Sequence, residues 1–312
     1  MIEVSNLGKY FGETKAVDGL TFTVNKGEVL GFLGANGAGK STTMKMITGF
    51  LEPTFGGAKI CGFDILTDSE RAKGVIGYLP ENAPLYGEMT VIDFLNFISE
   101  IRLIKAPAKK VALDRAIELT SLGEVKDKKI EELSKGFKRR VGLAQAILHN
   151  PDVLILDEPT DGLDPNQKFE VRKLIKEMSQ DKTIILSTHI LEEVDAVCSR
   201  ALIIAKGKLI ADGTPDELRA KSQNFGKIKV AFTKIDEQKV LEFKEGAKKI
   251  SAVRGVEFNS TFAFIDCLKD QAAPFRELIE LTDSLSLKIS SIQTEQGHLD
   301  HVFRDLTTAI ES

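Results

Sequence analysis

Cysteine is scarce in this sequence, with three in 312 residues: Cys61, Cys198 and Cys267. They are far apart and odd in number, and no CxxC pair or Cys/His cluster accompanies them. Zinc is therefore not suggested, and free buried thiols in a reducing cytosol are expected. An excess of one charge is also lacking. The formal charge is -4 and mixed along the chain, which gives no electrostatic reason to bind nucleic acid or anionic lipid non-specifically. No stretch reaches the roughly 18 consecutive apolar residues that span a bilayer. The opening MIEVSNLGKY has neither the basic stretch nor the apolar run of a signal peptide, so the chain is not expected to cross a membrane by itself. Neither an internal repeat nor a low-complexity tract is visible. What is present is ordinary for a folded soluble protein: 42% apolar and 28% charged residues, at a length that suits one large or two smaller domains.

Hydrophobic patterning predicts an α/β protein. Leu20–Val24 alternates like a half-buried strand, and Val29 to Leu33 is mostly apolar before a glycine-rich loop. A helix-compatible stretch follows from Lys40 to about Phe50. Val91, Phe94, Leu95, Ile98 and Ile101 mark one helical face, and helical character continues through Glu131. Buried-strand candidates follow at Val153–Leu156 and Thr183–Leu186, then a hairpin of Ala201–Ala205 and Leu209–Ala211. Apolar strands separated by helices argue for a mainly parallel sheet covered on both faces, with antiparallel and helical parts beside it. The first domain is expected over 1–220, with a helical subdomain at about 88–142. Beyond it, over 225–312, strands at Ile228–Phe232, Val253–Phe258, Phe262–Cys267 and Leu287–Ile292 alternate with helices near 236–250, 272–283 and 298–310. That β-α-β-β-α-β order with a last helix predicts a small α+β, ferredoxin-like domain.

The glycine loop carries chemistry. Gly34-Ala35-Asn36-Gly37-Ala38-Gly39-Lys40-Ser41 matches GxxxxGK[ST], between a strand and a helix. Its glycines let backbone N–H groups turn inward around phosphate oxygens, and the helix N-terminus adds partial positive charge. Lys40 is expected to reach the β- and γ-phosphates and Ser41 to hold Mg²⁺. Asn36, Gly37, Ala38 and Thr42 complete the expected ATP-binding set. Asp157 and Glu158 end an apolar strand, Asp157 placed to hold Mg²⁺ through water and Glu158 to act as general base. A paired acid at a strand end is often only a solvated loop; beside the cradle it gains a function.

With these motifs, the stretch of roughly residues 1–220 resembles the ATP-binding cassette family of P-loop NTPases. Leu133-Ser134-Lys135-Gly136-Phe137-Lys138 looks like the LSGGQ signature, Asp161-Gly162-Leu163-Asp164 like the D-loop, and Ser187-Thr188-His189 like the switch-histidine loop. The resemblance implies an ATPase whose two copies face head to tail, a homodimer expected, with Ser134 and Gly136 of one contacting the γ-phosphate held by the other. His189 would bond that phosphate. Phe11 lies where the adenine-stacking aromatic sits; its alternative reading is a core phenylalanine at a strand end. Glu81, in Tyr78-Leu79-Pro80-Glu81, replaces a usual glutamine: it still suits Mg²⁺ but donates no amide hydrogen bond. Lys135 and Phe137 replace a common glycine and glutamine.

The resemblance further implies a transmembrane permease partner, no nucleic acid, and a cytoplasmic location on the inner face of a bacterial membrane. The segment Asn82 to Ile101, with Leu85, Tyr86 and Met89, is expected to dock the permease. Gly77–Asn82, Leu133–Gly136 and Leu163–Gln167 are similar to subunits serving ABC-2-type exporters, and among those to the gliding-motility-associated subunits. A non-transport member, remodelling ribosomes, DNA or envelope complexes, is the alternative, although two cassettes, long coiled coils and zinc motifs are all missing. The basic cluster Lys126–Arg140 reads as charged surface rather than a nucleic-acid groove. His298 and His301 share only an i, i+3 helical spacing.

Overall fold

Strand patterning over the first 213 residues builds two sheets. The computed structural model describes residues 1–222, 224–268 and 273–308. It divides into units Met1–Pro215 and Asp216–Thr308. β1 (Ile2–Phe11) and β2 (Thr14–Val24) pair antiparallel, and with β4 (Phe55–Ile60) and β5 (Phe63–Asp64) they form a sheet of order β2-β1-β4-β5. The strand expected at Leu20–Val24 is the second half of β2. β1 escapes the period-two pattern because register shifts after Val4 and again after Leu7 interrupt its alternation.

The second sheet has the order β10-β9-β3-β8-β7-β6. It comprises β3 (Val29–Leu33), β6 (Ile76–Leu79), β7 (Val153–Asp157), β8 (Thr183–Thr188), β9 (Arg200–Ala205) and β10 (Lys208–Gly213). All neighbours run parallel except the β9–β10 hairpin. β3, β7 and β8 are buried along their whole length, which is why their sequences read as continuous apolar runs. α1 (Lys40–Ile47) touches strands of both sheets. Its Met44 and Met46 join Ile2, Phe32, Ile60 and Ile155 in one core.

α2 (Ser69–Gly74) precedes β6, and α3 (Val91–Ile101), α4 (Ala108–Leu119) and α5 (Lys135–Ile147) follow it. The Thr90 hydroxyl caps α3 by accepting from the Asp93 N–H. Val91, Phe94 and Leu95 are buried as expected, but Ile101 is exposed. The helical character expected through Glu131 stops at Leu119, and only two single 3₁₀ turns follow. α6 (Pro165–Met178) and α7 (Leu191–Val197) flank β8, and α8 (Pro215–Arg219) lies where the units divide. The three thiols are free, but Cys61 and Cys267 are only half-buried, so the expectation of burial holds for Cys198 alone.

The second unit runs β11 (Ile228–Phe232), α9 (Glu237–Ala247), β12 (Val253–Asn259), β13 (Phe262–Cys267), α10 (Phe275–Ser284), β14 (Ile289–Thr294) and α11 (Leu299–Thr308). Its antiparallel sheet has the order β12-β13-β11-β14. Phe232, Phe243 and Phe258 meet ring to ring in its core. The element order is the β-α-β-β-α-β expected. β14 starts two residues late because Leu287 is held by the end of α10, its N–H donating to the Thr282 carbonyl. Ala272 and residues 309–312, expected in terminal helices and domain ends, lie outside the described residues.

Candidate functional site

Parallel register sets the site. Leu33 pairs with Thr188, Asp157 with Ser187, and Leu79 with Leu156. The segments leaving β3, β6, β7 and β8 therefore emerge at one level, at the carboxyl ends of the strands, where open parallel sheets bind ligands. A cleft of about 510 Å³ opens there.

On one wall, Gly39 ends the glycine loop with φ +106° and precedes α1. A Cβ at this position would lie 2.4 Å from the Ala16 carbonyl oxygen, so only glycine fits. Lys40, 6% exposed, donates to the Gly34 carbonyl at 2.9 Å. Asn36, Gly37, Gly39, Lys40, Ser41 and Thr42 face the cleft, and Ala38 is buried behind them.

Asp157, expected to hold Mg²⁺, is not among the residues lining the cleft: it is 1% exposed and its Oδ1 accepts from the Ser187 hydroxyl. Glu158 follows with φ +49°, a left-handed backbone that non-glycine residues rarely adopt. Holding it there costs about 1–3 kcal/mol, and its N–H is tied to the Ser187 carbonyl at 3.1 Å. The Glu158 carboxylate meets Lys40 Nζ at 3.3 Å through one oxygen and His189 Nδ1 at 2.9 Å through the other. Three residues read from three separate motifs thus converge on one carboxylate. Glu81 and Asp161 also line the cleft. Such a set can cradle a polyphosphate, place a cation beside it and supply a base to a water molecule.

Ser134 and Gly136 do not line this cleft. Ser134 is exposed and caps α5, its hydroxyl accepting from the Phe137 N–H at 3.3 Å. Phe11 also stands outside the lining; it is 51% exposed at the end of β1, so the reading of a core phenylalanine is overturned. Ala16 of β2 borders the cleft instead.

Two further residues shape the site, and neither carries a sequence signal. Arg139 lies in the basic cluster read as surface, yet its guanidinium reaches inward to carbonyls of both the Glu81 and Glu158 segments. Burial lowers its pKa, and the nearby acids Asp157, Asp161, Glu81 and Glu158 oppose that shift. Glu193 of α7, 1% exposed, accepts from the hydroxyls of Thr160 and Thr188, one on each side of Glu158. Burial pushes its pKa up. Burial and Asp157 likewise raise the Tyr78 phenol.

Residues 17–161 match the ABC transporter family. The chain is 40% identical over 225 residues to the "Probable multidrug ABC transporter ATP-binding protein YbhF" of Escherichia coli, covering 72% of this chain but 39% of YbhF. The match therefore spans well under half the length of that relative. It is 31% identical over 310 residues to the "Linearmycin resistance ATP-binding protein LnrL" of Bacillus subtilis, covering 98% of each. Among solved structures, the dimeric post-hydrolysis state of the ATP-binding cassette MJ0796 bound to ADP and Pi superposes with a TM-score of 0.63. That match is 21% identical and covers 69% of this chain and 99% of that one, a likeness of fold.

Proposed function

Because the chain belongs to the ABC transporter family as an ATP-binding, ATPase subunit, we propose that its cleft holds MgATP and that Glu158 is the base that activates the attacking water. The observation that carries this reading is the meeting of Lys40 and His189 on the Glu158 carboxylate, at the edge of the glycine loop. An arriving triphosphate competes for Lys40 and frees one carboxylate oxygen for water. Water then attacks the γ-phosphorus, its proton passes to Glu158, and the bond to the ADP oxygen breaks. General-base help of this kind contributes ~10²–10⁴-fold. His189 holds the γ-phosphate, and Phe11, exposed at the end of β1, stacks the adenine.

Ser41, Glu81 and Asp157 offer hydroxyl and carboxylate oxygens, the hard donors that suit magnesium. Among the described residues no three His, Cys, Asp or Glu side chains form a metal cluster. When bound, Mg²⁺ neutralises charge that develops on the phosphates.

Ser134 and Gly136, away from the chain's own cleft, complete the cleft of a second copy in a head-to-tail homodimer; the dimeric state of MJ0796 supports this. A separate permease docks at Leu85, Tyr86 and Met89. Tyr86 is 56% exposed yet braced edge-on by Phe94 and Phe97, which makes it a rigid apolar knob. No helix among the described residues is long and apolar enough to cross a membrane, so attachment to the inner face of the membrane runs through that permease. The resistance and multidrug names of the relatives support export; the ABC-2 type, with gliding machinery as the narrower assignment, rests on the sequence motifs alone. Residues 225–312 act as a structural accessory domain.

The test is Glu158→Gln. It is expected to retain ATP and accumulate closed dimers while turnover falls by ~10²-fold or more. Hydrolysis at the wild-type rate would remove Glu158 from the role of base.

A further inference from the structure

We propose that Arg139 is a positioning residue for hydrolysis, a staple that holds the Glu81 loop in register with the Asp157–Glu158 loop so that both move as one wall of the cleft. A guanidinium carries five N–H donors in a fixed planar fork. Here all five are directed at backbone carbonyls. Nε donates to Pro159 at 3.2 Å, one Nη to Pro80 at 2.8 Å and Glu81 at 2.6 Å, and the other to Asp157 and to Glu158 at 2.6 Å. These carbonyls lie at or just beyond the ends of β6 and β7, where the ladder that pairs Leu79 with Leu156 stops. Without Arg139 the two loops would have no shared donor at this point. No other side chain offers five donors, so the arrangement is specific to arginine.

Charge reinforces the geometry. Glu81, Asp157, Glu158 and Asp161 lie around the half-buried cation, which offsets the negative charge that Glu81 adds where a neutral glutamine is usual. Arg139 sits five residues beyond Ser134 on the rigid α5. A shift of that helix therefore reaches the backbone of Glu158 directly. The catalytic carboxylate already occupies a left-handed backbone, and a small displacement there re-aims it. Misplacement of about 1 Å can cost on the order of 10²-fold in rate.

This inference rests on Glu158 acting as base, which Glu158→Gln tests separately. The experiment compares Arg139→Lys and Arg139→Gln in the full chain, measuring kcat, affinity for a fluorescent ATP analogue, and melting temperature. Lysine keeps the charge but has only three donors. Both variants are expected to lose at least ~10-fold in kcat with affinity within about twofold of wild type, and lysine is not expected to rescue. Turnover of Arg139→Lys within about threefold of wild type would overturn the proposal, as would a loss that falls on affinity instead of kcat. If Arg139→Gln does not fold, Arg139→Lys decides; if neither folds, Arg139 is a folding element and the proposal falls.

Discussion

Replacing Glu193 with alanine removes one buried carboxylate that serves three partners. Thr160 and Thr188, 2% and 0% exposed, both donate their hydroxyls to it. An Nη of Arg172 stands 3.9 Å away, and the Nε of that guanidinium has no hydrogen-bond partner. Each buried hydroxyl donor left unpaired costs about 1–3 kcal/mol. Thr188 oxygen still accepts from the Ile190 N–H, so only its donor is stranded. Against this, burial already disfavours the Glu193 charge, and its removal returns part of that desolvation cost. The balance for Glu193→Ala is a loss of about 3 kcal/mol. Glu193→Gln keeps the shape and one acceptor; the second threonine can accept from the new amide but its own O–H is left unpaired, so about 1–2 kcal/mol, less than for alanine, is expected. Urea unfolding followed by tyrosine fluorescence suits this chain, which has no tryptophan. All three tyrosines, Tyr10, Tyr78 and Tyr86, lie in the first unit. With a slope near 3 kcal/mol/M, the alanine midpoint should fall by roughly 1 M. A shift under about 0.2 M would refute the reasoning. So would a glutamine variant as damaged as alanine, since the charge and not the hydrogen bonds would then matter.

Two further outcomes follow from buried geometry. His149 has its pKa pushed down to about 4 by burial and by the neighbouring cations. The unfolded chain takes up this proton near pH 6.5, before the folded one does. Its contribution is therefore present above about pH 6.5 and lost as pH falls towards 4, amounting to roughly 3 kcal/mol. His149→Gln should flatten that part of the urea midpoint against pH; an unchanged slope would assign the acid sensitivity elsewhere. Gly39→Ala puts a Cβ 2.4 Å from the Ala16 carbonyl oxygen at a φ closed to alanine. Titration calorimetry should show ATP affinity reduced at least ~10-fold, whereas near-normal affinity would mean the loop relaxes without harm.

The parts of the cleft legible in the sequence are those where backbone chemistry restricts residue type. The glycine loop and the histidine each follow a buried apolar strand, and the acid pair closes one, so composition and context agree. Arg139 and Glu193 were hidden for the opposite reason. Both act through side chains that reach across to segments distant in sequence, and both resemble ordinary charged residues on helices. In the fold, strands with full burial or clean alternation were readable, whereas β1 was masked by its register shifts. The end of the helical region was masked too, since Gly123–Val125 and Ile130–Glu132 form single 3₁₀ turns whose composition mimics helix.

The common level at which β3, β6, β7 and β8 end has an implication for variation and redesign. Side chains alternate faces along a strand, so adding or deleting one residue within β7 would turn Glu158 away from Lys40 and break its alignment with His189 at once. The helical stretch between β6 and β7 carries no such constraint on its length, provided Arg139 still arrives at the same place. Swapping that stretch between related chains is therefore a practical test of the proposed docking surface, while the strands form a frame whose residue count should be left untouched.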